Sequence, residues 1–340
     1  MLPSILFVVT NIVLSSLPPA SPNSLVRRET ATSIPYGVCG GSALRRCPVG
    51  LCCSKDSVCG STLAECGTGC QTPFGKCGSN ILPPFIPDVI SECTKPGLFA
   101  LTFDDGIHHV YTSEILDILK KNNITATFFI NGYNTGDITI EPRKSILSRM
   151  YAEGHQIASH SYKHTDLSTL NPTEIHREME INDQAIQSVI GVRPVYMRPP
   201  FGNFKEVTVT TLRSLGFKIV IWNVDSGDSV HPVSDNFTAL STEFYDRAMT
   251  GKTSATGSFI SLQHDTINGT VHQWAQVAID KIKAANYTFV TVGACAGDPT
   301  PSSWYRQSMP ALQDAANKNN GIRMEPSFNL IVLLIFIVIR

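Results

Sequence analysis

Between residues 93 and 297 short apolar runs alternate with stretches of helical periodicity, and this alternation leaves few architectures open to the chain. Runs at 98–103, 125–130, 195–197, 217–223, 258–262 and 288–292 read as strands. Helical faces lie between them: Ile115, Leu116, Ile118 and Leu119 form one, and 204–215 and 271–285 form two more. A further helix has both ends written into the sequence, with Asn171 as N-cap, Pro172 at the first helical position, Glu174 completing a capping box and Gly191 closing it. Repeated strand–helix units of this size predict a parallel α/β barrel, whose functional residues gather at the carboxyl ends of the strands.

Eight of the ten cysteines fall between Cys39 and Cys77, interleaved with glycine and few apolar residues. So short a segment cannot build a sufficient core, and residues 37–78 therefore read as a separate module stapled by disulfides. Pro83, Pro84 and Pro87 make the following stretch, 79–92, an extended linker. Cys93 and Cys295 flank the alternating region, at the entry of its first strand and the exit of its last. A closed barrel brings those strands together, so a Cys93–Cys295 bond is expected.

Residues 5–17 are apolar and end at Pro18-Pro19-Ala20, the pattern of a secretory signal over 1–20, with a leader at 21–36. Export favours disulfides over a zinc or redox motif for the cysteines. Asn123, Asn236, Asn268 and Asn286 each open an Asn-x-Ser/Thr sequon, which suits a glycosylated extracellular surface. At the other end a polar stalk, 298–329, precedes an apolar run over 330–339 and Arg340. That run falls short of the roughly 17 apolar residues a membrane span takes, and it has the layout of a glycosylphosphatidylinositol-anchor signal. The expected setting is therefore secreted, at the cell surface or wall, with a lipid anchor as the sole membrane contact. A net charge of −1 over 340 residues gives no electrostatic footing for nucleic acid.

Chemistry is concentrated in Asp104-Asp105 and in His160 and His164, four residues apart. The two carboxylates stand where the first strand ends, and a strand-to-loop turn can aim both into one cleft. One Asp and two His form a facial set for zinc that leaves positions open for water and substrate, and the second Asp is then free as a base. Asp-Asp-Gly is also an ordinary turn, and two histidines four apart are also an ordinary polar helix face. Three further segments decide between the readings: Arg198-Pro199-Pro200-Phe201-Gly202, Asp225-Ser226-Gly227-Asp228 and Ser261-Leu262-Gln263-His264-Asp265 each follow a strand. Arg198 can hold a neighbouring base ionised, and the prolines aim the Phe201 amide.

The order of these five segments closely resembles the polysaccharide deacetylase (NodB-homology) family, carbohydrate esterase family four, over about residues 93–297. The resemblance implies an irregular (β/α) barrel, zinc or a similar divalent ion such as cobalt, and removal of acetyl groups from N-acetylglucosamine polymers. Carried over by position, Asp105, His160 and His164 bind the metal, Asp104 is the base and His264 the acid. Arg198 orients Asp104, the Phe201 amide helps hold the oxyanion, and Leu262 lines the acetyl pocket. An adjacent carboxylate, Asp228 or Asp225, would keep His264 charged, with Asp228 preferred. Two positions depart from the family: Ser229 stands where an aromatic is usual, and Ile107 where Pro is common; neither removes a ligand.

Cys52-Cys53-Ser54, Cys59-Gly60-Ser61-Thr62, Cys70-Gln71 and Phe74-Gly75-Lys76-Cys77 resemble the hevein-type chitin-binding domain. That resemblance implies the pairs Cys39–Cys53, Cys47–Cys59, Cys52–Cys66 and Cys70–Cys77. Sugar binding in such modules rests on aromatic faces, and this chain has Asp56, Val58 and Glu65 at the matching positions, so weak chitin binding is expected. Together these features suggest a deacetylase acting on chitin, with peptidoglycan or acetylxylan as other substrates of the same chemistry. A catalytically silent wall-binding protein is the alternative from another class.

Overall fold

In the cysteine-rich segment, strand β1 (Cys52–Cys53) pairs antiparallel with β2 (Cys59–Gly60), a hairpin too small to hold itself together. The structure, a computed structural model, describes residues 89–308 and parts of the segment 39–77. Covalent bonds replace a core in that segment: Cys39–Cys53 and Cys70–Cys77 are disulfides with Cα–Cα separations of 5.8 and 5.7 Å. Cys47 and Cys52 are disulfide-bonded as well. The side chains of their expected partners, Cys59 and Cys66, lie outside the described residues, as do Asp56, Val58 and Glu65 and the expected signal, leader and anchor segments.

Two parallel sheets make the larger unit. The first runs β3 (Val89–Ile90), β10 (Lys218–Val220), β9 (Tyr196–Met197), β7 (Gln156–Ser159), β6 (Thr127–Ile130) and β5 (Thr102–Asp104). The second runs β11 (Val224–Asp225), β12 (Phe259–Leu262), β4 (Leu98–Ala100) and β13 (Thr288–Val290). Every residue of β6, β7 and β12 is buried, as expected for strands covered on both faces. The sheets are joined where Asp104 bridges His264 and its N–H donates to the Gln263 carbonyl at 2.9 Å. The result is an irregular α/β barrel.

The run at 98–103 thus forms two strands rather than one. Beyond Leu101 the backbone leaves the second sheet and takes β6 as its partner, which the unbroken apolar sequence does not reveal. Helices α1 (Tyr111–Asn122), α2 (Arg143–Ala152), α3 (Pro172–Ile190), α4 (Glu206–Ser214), α5 (Phe237–Met249) and α6 (Ala275–Ala284) separate the strands, and a short α7 (Val292–Cys295) follows β13. The start and stop of α3 are as predicted, with the Asn171–Glu174 capping box formed and Gly191 in the left-handed conformation at φ 80°. The expected helix over 271–285 opens instead with a wide turn, Thr270–Trp274, before α6.

At both ends the folded unit extends past the expected boundaries of 93 and 297. Val89–Ile90 adds to the edge of the first sheet, and β14 (Tyr305–Arg306) pairs antiparallel with β8 (Arg193–Pro194) while Trp304 is buried. All four sequon asparagines are exposed. No described helix is long and apolar enough to cross a membrane.

Cys93 and Cys295 are disulfide-bonded across 202 residues, with Cα atoms 4.5 Å apart. Replacing both by serine is expected to lower the unfolding free energy by at most about 5 kcal/mol, the chain-entropy value for a loop of this length. Thr94 N–H still donates to the Cys295 carbonyl at 2.9 Å and Cys93 N–H to Ser258 Oγ at 3.1 Å, so the measured loss should fall below that ceiling. A denaturation midpoint that the double substitution leaves unchanged would contradict this closure role.

Candidate active site

Asp104 ends β5 in extended backbone, and Asp105 follows at φ 75° in the left-handed region. That reversal lets two adjacent carboxylates serve one cleft instead of opposite faces of the sheet. His160 follows β7 directly, and His164 lies in the same loop at φ 57°, so the pair is presented by an irregular loop rather than a helix face. Nε2 of His160 and of His164 lie 3.4 and 3.2 Å from Asp105 Oδ1.

Arg198, at the end of β9, is fully buried and ties this cluster to the barrel. Its Nη1 donates to Asp104 Oδ1 at 2.7 Å and to Thr102 Oγ1 at 2.9 Å. The guanidinium lies 4.1 Å from the Phe129 ring centroid and 5.3 Å from that of Trp222, so its apolar faces are covered. Its carbonyl contacts His160 Nδ1 at 2.7 Å. A carbonyl can only accept, so Nδ1 carries a proton and Nε2 is the ring nitrogen that faces Asp105.

Across the cleft, His264 Nδ1 lies 2.8 Å from Asp228 Oδ1, and the His264 N–H donates to Asp228 Oδ2 at 2.8 Å. Burial works against charge on His264, but the Asp228 carboxylate overrides it and pushes the imidazole up to about 10. Burial would also raise Asp228, yet contact with His264 and the Thr270 hydroxyl at 2.6 Å holds it below the usual carboxylate range. Ser229, the residue that departs from the usual aromatic, donates its amide to Asp228 Oδ1 at 2.8 Å. Asp225 does not share this role. Its Oδ1 accepts the Gly227 amide at 2.7 Å in a local turn, and burial pushes it up to about 7.

Phe201 sits at φ 59° in the Pro200–Gly202 turn. The Pro199 and Pro200 carbonyls accept the Gly202 and Asn203 amides, leaving the Phe201 amide outside that turn's hydrogen bonds. The exposed Phe201 ring meets His164 edge to face at 4.4 Å. Leu262 packs with Ile221 and Trp222 in a small apolar cluster at the same end of the barrel.

A family model for polysaccharide deacetylases matches residues 91–220. Over 218 residues the chain is 42% identical to a chitin deacetylase of Pestalotiopsis sp, covering 64% of this chain and 70% of that protein. The chain belongs to the polysaccharide deacetylase family. A chitin deacetylase of Colletotrichum lindemuthianum is 38% identical over 217 residues, covering 64% of this chain and 86% of the relative. The solved chitin deacetylase structure from that fungus aligns with a TM-score of 0.62 at 37% identity, over 65% of this chain and 96% of that one. As a polysaccharide deacetylase the chain is a hydrolase, and its irregular parallel barrel is the family's fold.

The family is generally metal-dependent, and the residues of this polysaccharide deacetylase fit a divalent cation. Ligand atoms of Asp105, His160 and His164 lie within 4.8 Å of one another. Asp105 Oδ1 is buried, and its nearest polar neighbours among the described residues are the Nε2 atoms of His160 and His164. With both imidazoles neutral and Nε2 unprotonated, the three groups converge as acceptors, and a cation among them satisfies all three. Sequence reasoning missed Trp222, Thr270 and the part played by the Arg198 carbonyl. Only Trp222 left a signal, as a large aromatic at a strand end.

Proposed function

We propose that the chain hydrolyses N-acetyl groups of N-acetylglucosamine residues in chitin, giving acetate and a free amine, at a site that takes zinc or, in its place, cobalt. The observation that carries this reading is the meeting of Asp105, His160 and His164 beside the ion-paired Asp104, with the His264–Asp228 pair opposite. Chitin is favoured over peptidoglycan or xylan because relatives named chitin deacetylases are 38–42% identical to this chain, against 30–37% for those named peptidoglycan deacetylases.

A divalent cation held by Asp105, His160 and His164 would acidify a water molecule and polarise the acetyl carbonyl. Asp104 takes the proton as the water oxygen bonds to the acetyl carbon, and the Arg198 guanidinium at 2.7 Å fixes its carboxylate. The Phe201 amide donates to the oxyanion that develops on the acetyl oxygen. Leu262, Ile221 and Trp222 form an apolar wall for the acetyl methyl group. His264, charged because Asp228 stands against Nδ1, gives a proton to the departing nitrogen as the carbon–nitrogen bond breaks.

The same proposal places this enzyme outside the cell, in cell-wall modification, as a glycoprotein held by a lipid anchor and carrying a hevein-like module of weak chitin affinity. The apolar runs at 5–17 and 330–339, the four sequons and the disulfides support that setting.

Zinc-loaded protein incubated separately with chitin oligomers, peptidoglycan fragments and acetylated xylan oligomers tests the substrate. Free amines should appear by mass spectrometry on the chitin oligomers. Acetate released from xylan esters alone would contradict the reading.

A further inference from the structure

We propose that Asp265 is a positioning residue that holds the Asp105 turn in its metal-binding shape. The proposal rests on reading Asp105 as a metal ligand. Asp265 follows His264 at the exit of β12 and is fully buried. Its carboxyl group lies directly beneath Gly106: a Cβ there would stand 2.3 and 2.8 Å from its two oxygens. The turn backbone therefore rests on this carboxyl group, and no residue but glycine fits between them.

A hydrogen-bonded tether completes the contact. Thr112 Oγ1, in the first turn of α1, donates to Asp265 Oδ2 at 2.5 Å and accepts the His108 amide at 2.9 Å. Residues 106 and 108 are thus both fixed from the Asp265 side. From the opposite side the Gly106 carbonyl accepts the Asn131 amide at 3.2 Å, and the Ile107 carbonyl accepts Thr135 Oγ1 at 2.5 Å and Arg143 Nε at 3.1 Å. The turn is clamped between the two.

Two features separate this from ordinary packing. Asp105 holds a left-handed conformation that a residue with a side chain adopts at a cost, so something must over-determine it. Among the described residues, Asp265 Oδ1 is buried without a hydrogen-bond partner. A buried oxygen left in that state is disfavoured against an apolar side chain of similar shape, and its presence calls for a role beyond filling space.

Co2+ serves as the probe, with binding followed by calorimetric titration and by the visible absorption of the bound ion. Asp265→Ala is expected to weaken Co2+ affinity by about 10–100-fold and to change the absorption envelope. Asp265→Asn keeps the shape and the acceptor for Thr112, and should restore affinity nearly to that of the unsubstituted chain. Thr112→Val removes the tether and leaves the wedge, and should give an intermediate loss. Equal affinity in Asp265→Ala and the unsubstituted chain overturns the proposal. Should Asp265→Ala fail to fold, unchanged Co2+ affinity in Thr112→Val overturns it instead. An unsubstituted chain that binds no Co2+ overturns the metal-site reading along with it, a failure visible before any variant is made.

Discussion

Asp104→Asn is expected to lower kcat by about 10²–10⁴-fold, the range for loss of a general base, while metal still binds at Asp105, His160 and His164. The amide can accept the hydrogen bond from Arg198 but cannot take a proton from water. Stability enters the same experiment, because Arg198 is fully buried and Asp104 is its charge partner at 2.7 Å. Removing one partner of a buried pair outright costs about 3–5 kcal/mol. Asparagine should cost less, since its Oδ1 replaces the acceptor and Thr102 Oγ1 and the Phe129 ring keep their contacts. The asparagine variant should therefore fold with a lowered melting temperature and contain metal. If it keeps more than about a tenth of the wild-type kcat, the base lies elsewhere.

Asp228→Asn should act through His264 and show itself in the pH profile. With Asp228 ionised, His264 is pushed up to about 10 and stays protonated through neutral pH, so the alkaline limb of kcat lies above neutral pH. Without the carboxylate, burial is opposed only by the weaker pull of Asp105 and Asp104, and the limb moves downward. A close charge pair at an effective dielectric of about 20 is worth about 4 kcal/mol, or at most about three pKa units. At pH 9 His264 of the variant should be mostly neutral, and kcat should fall by up to about 10²-fold, with a smaller loss at pH 6. Stability follows the same sign. A histidine whose folded pKa is raised contributes stability fully below about 6.5, and loses that contribution as pH rises through about 10. The melting-temperature gap between wild type and variant should narrow over that interval, and parallel kcat profiles would remove His264 as the acid.

The clearest parts of the site in the sequence were those where chemistry and chain position coincide. Asp104 and Asp105 end an apolar run, and Arg198 and His264 follow others, so their convergence follows from a parallel barrel. β7 escaped notice because its ends, Gln156 and Ser159, are polar yet buried. Gln156 Oε1 accepts the Gly293 amide at 2.7 Å, and Ser159 Oγ accepts Asn182 Nδ2 at 2.8 Å, interior partners that no local pattern reveals. α5 was hidden similarly: its buried positions are Phe237, Ser241 and Tyr245, an apolar stripe interrupted by serine. The choice between Asp225 and Asp228 depended on one turn. The Gly227 amide occupies Asp225, and only the folded loop brings Asp228 to His264.

Acetate release from a chitin oligomer by metal-stripped and metal-reloaded protein tests the central claim most directly. Stripped protein should release none, and stoichiometric Zn2+ or Co2+ should restore turnover in the wild type but not in Asp104→Asn. Undiminished acetate release after exhaustive removal of metal would contradict the account.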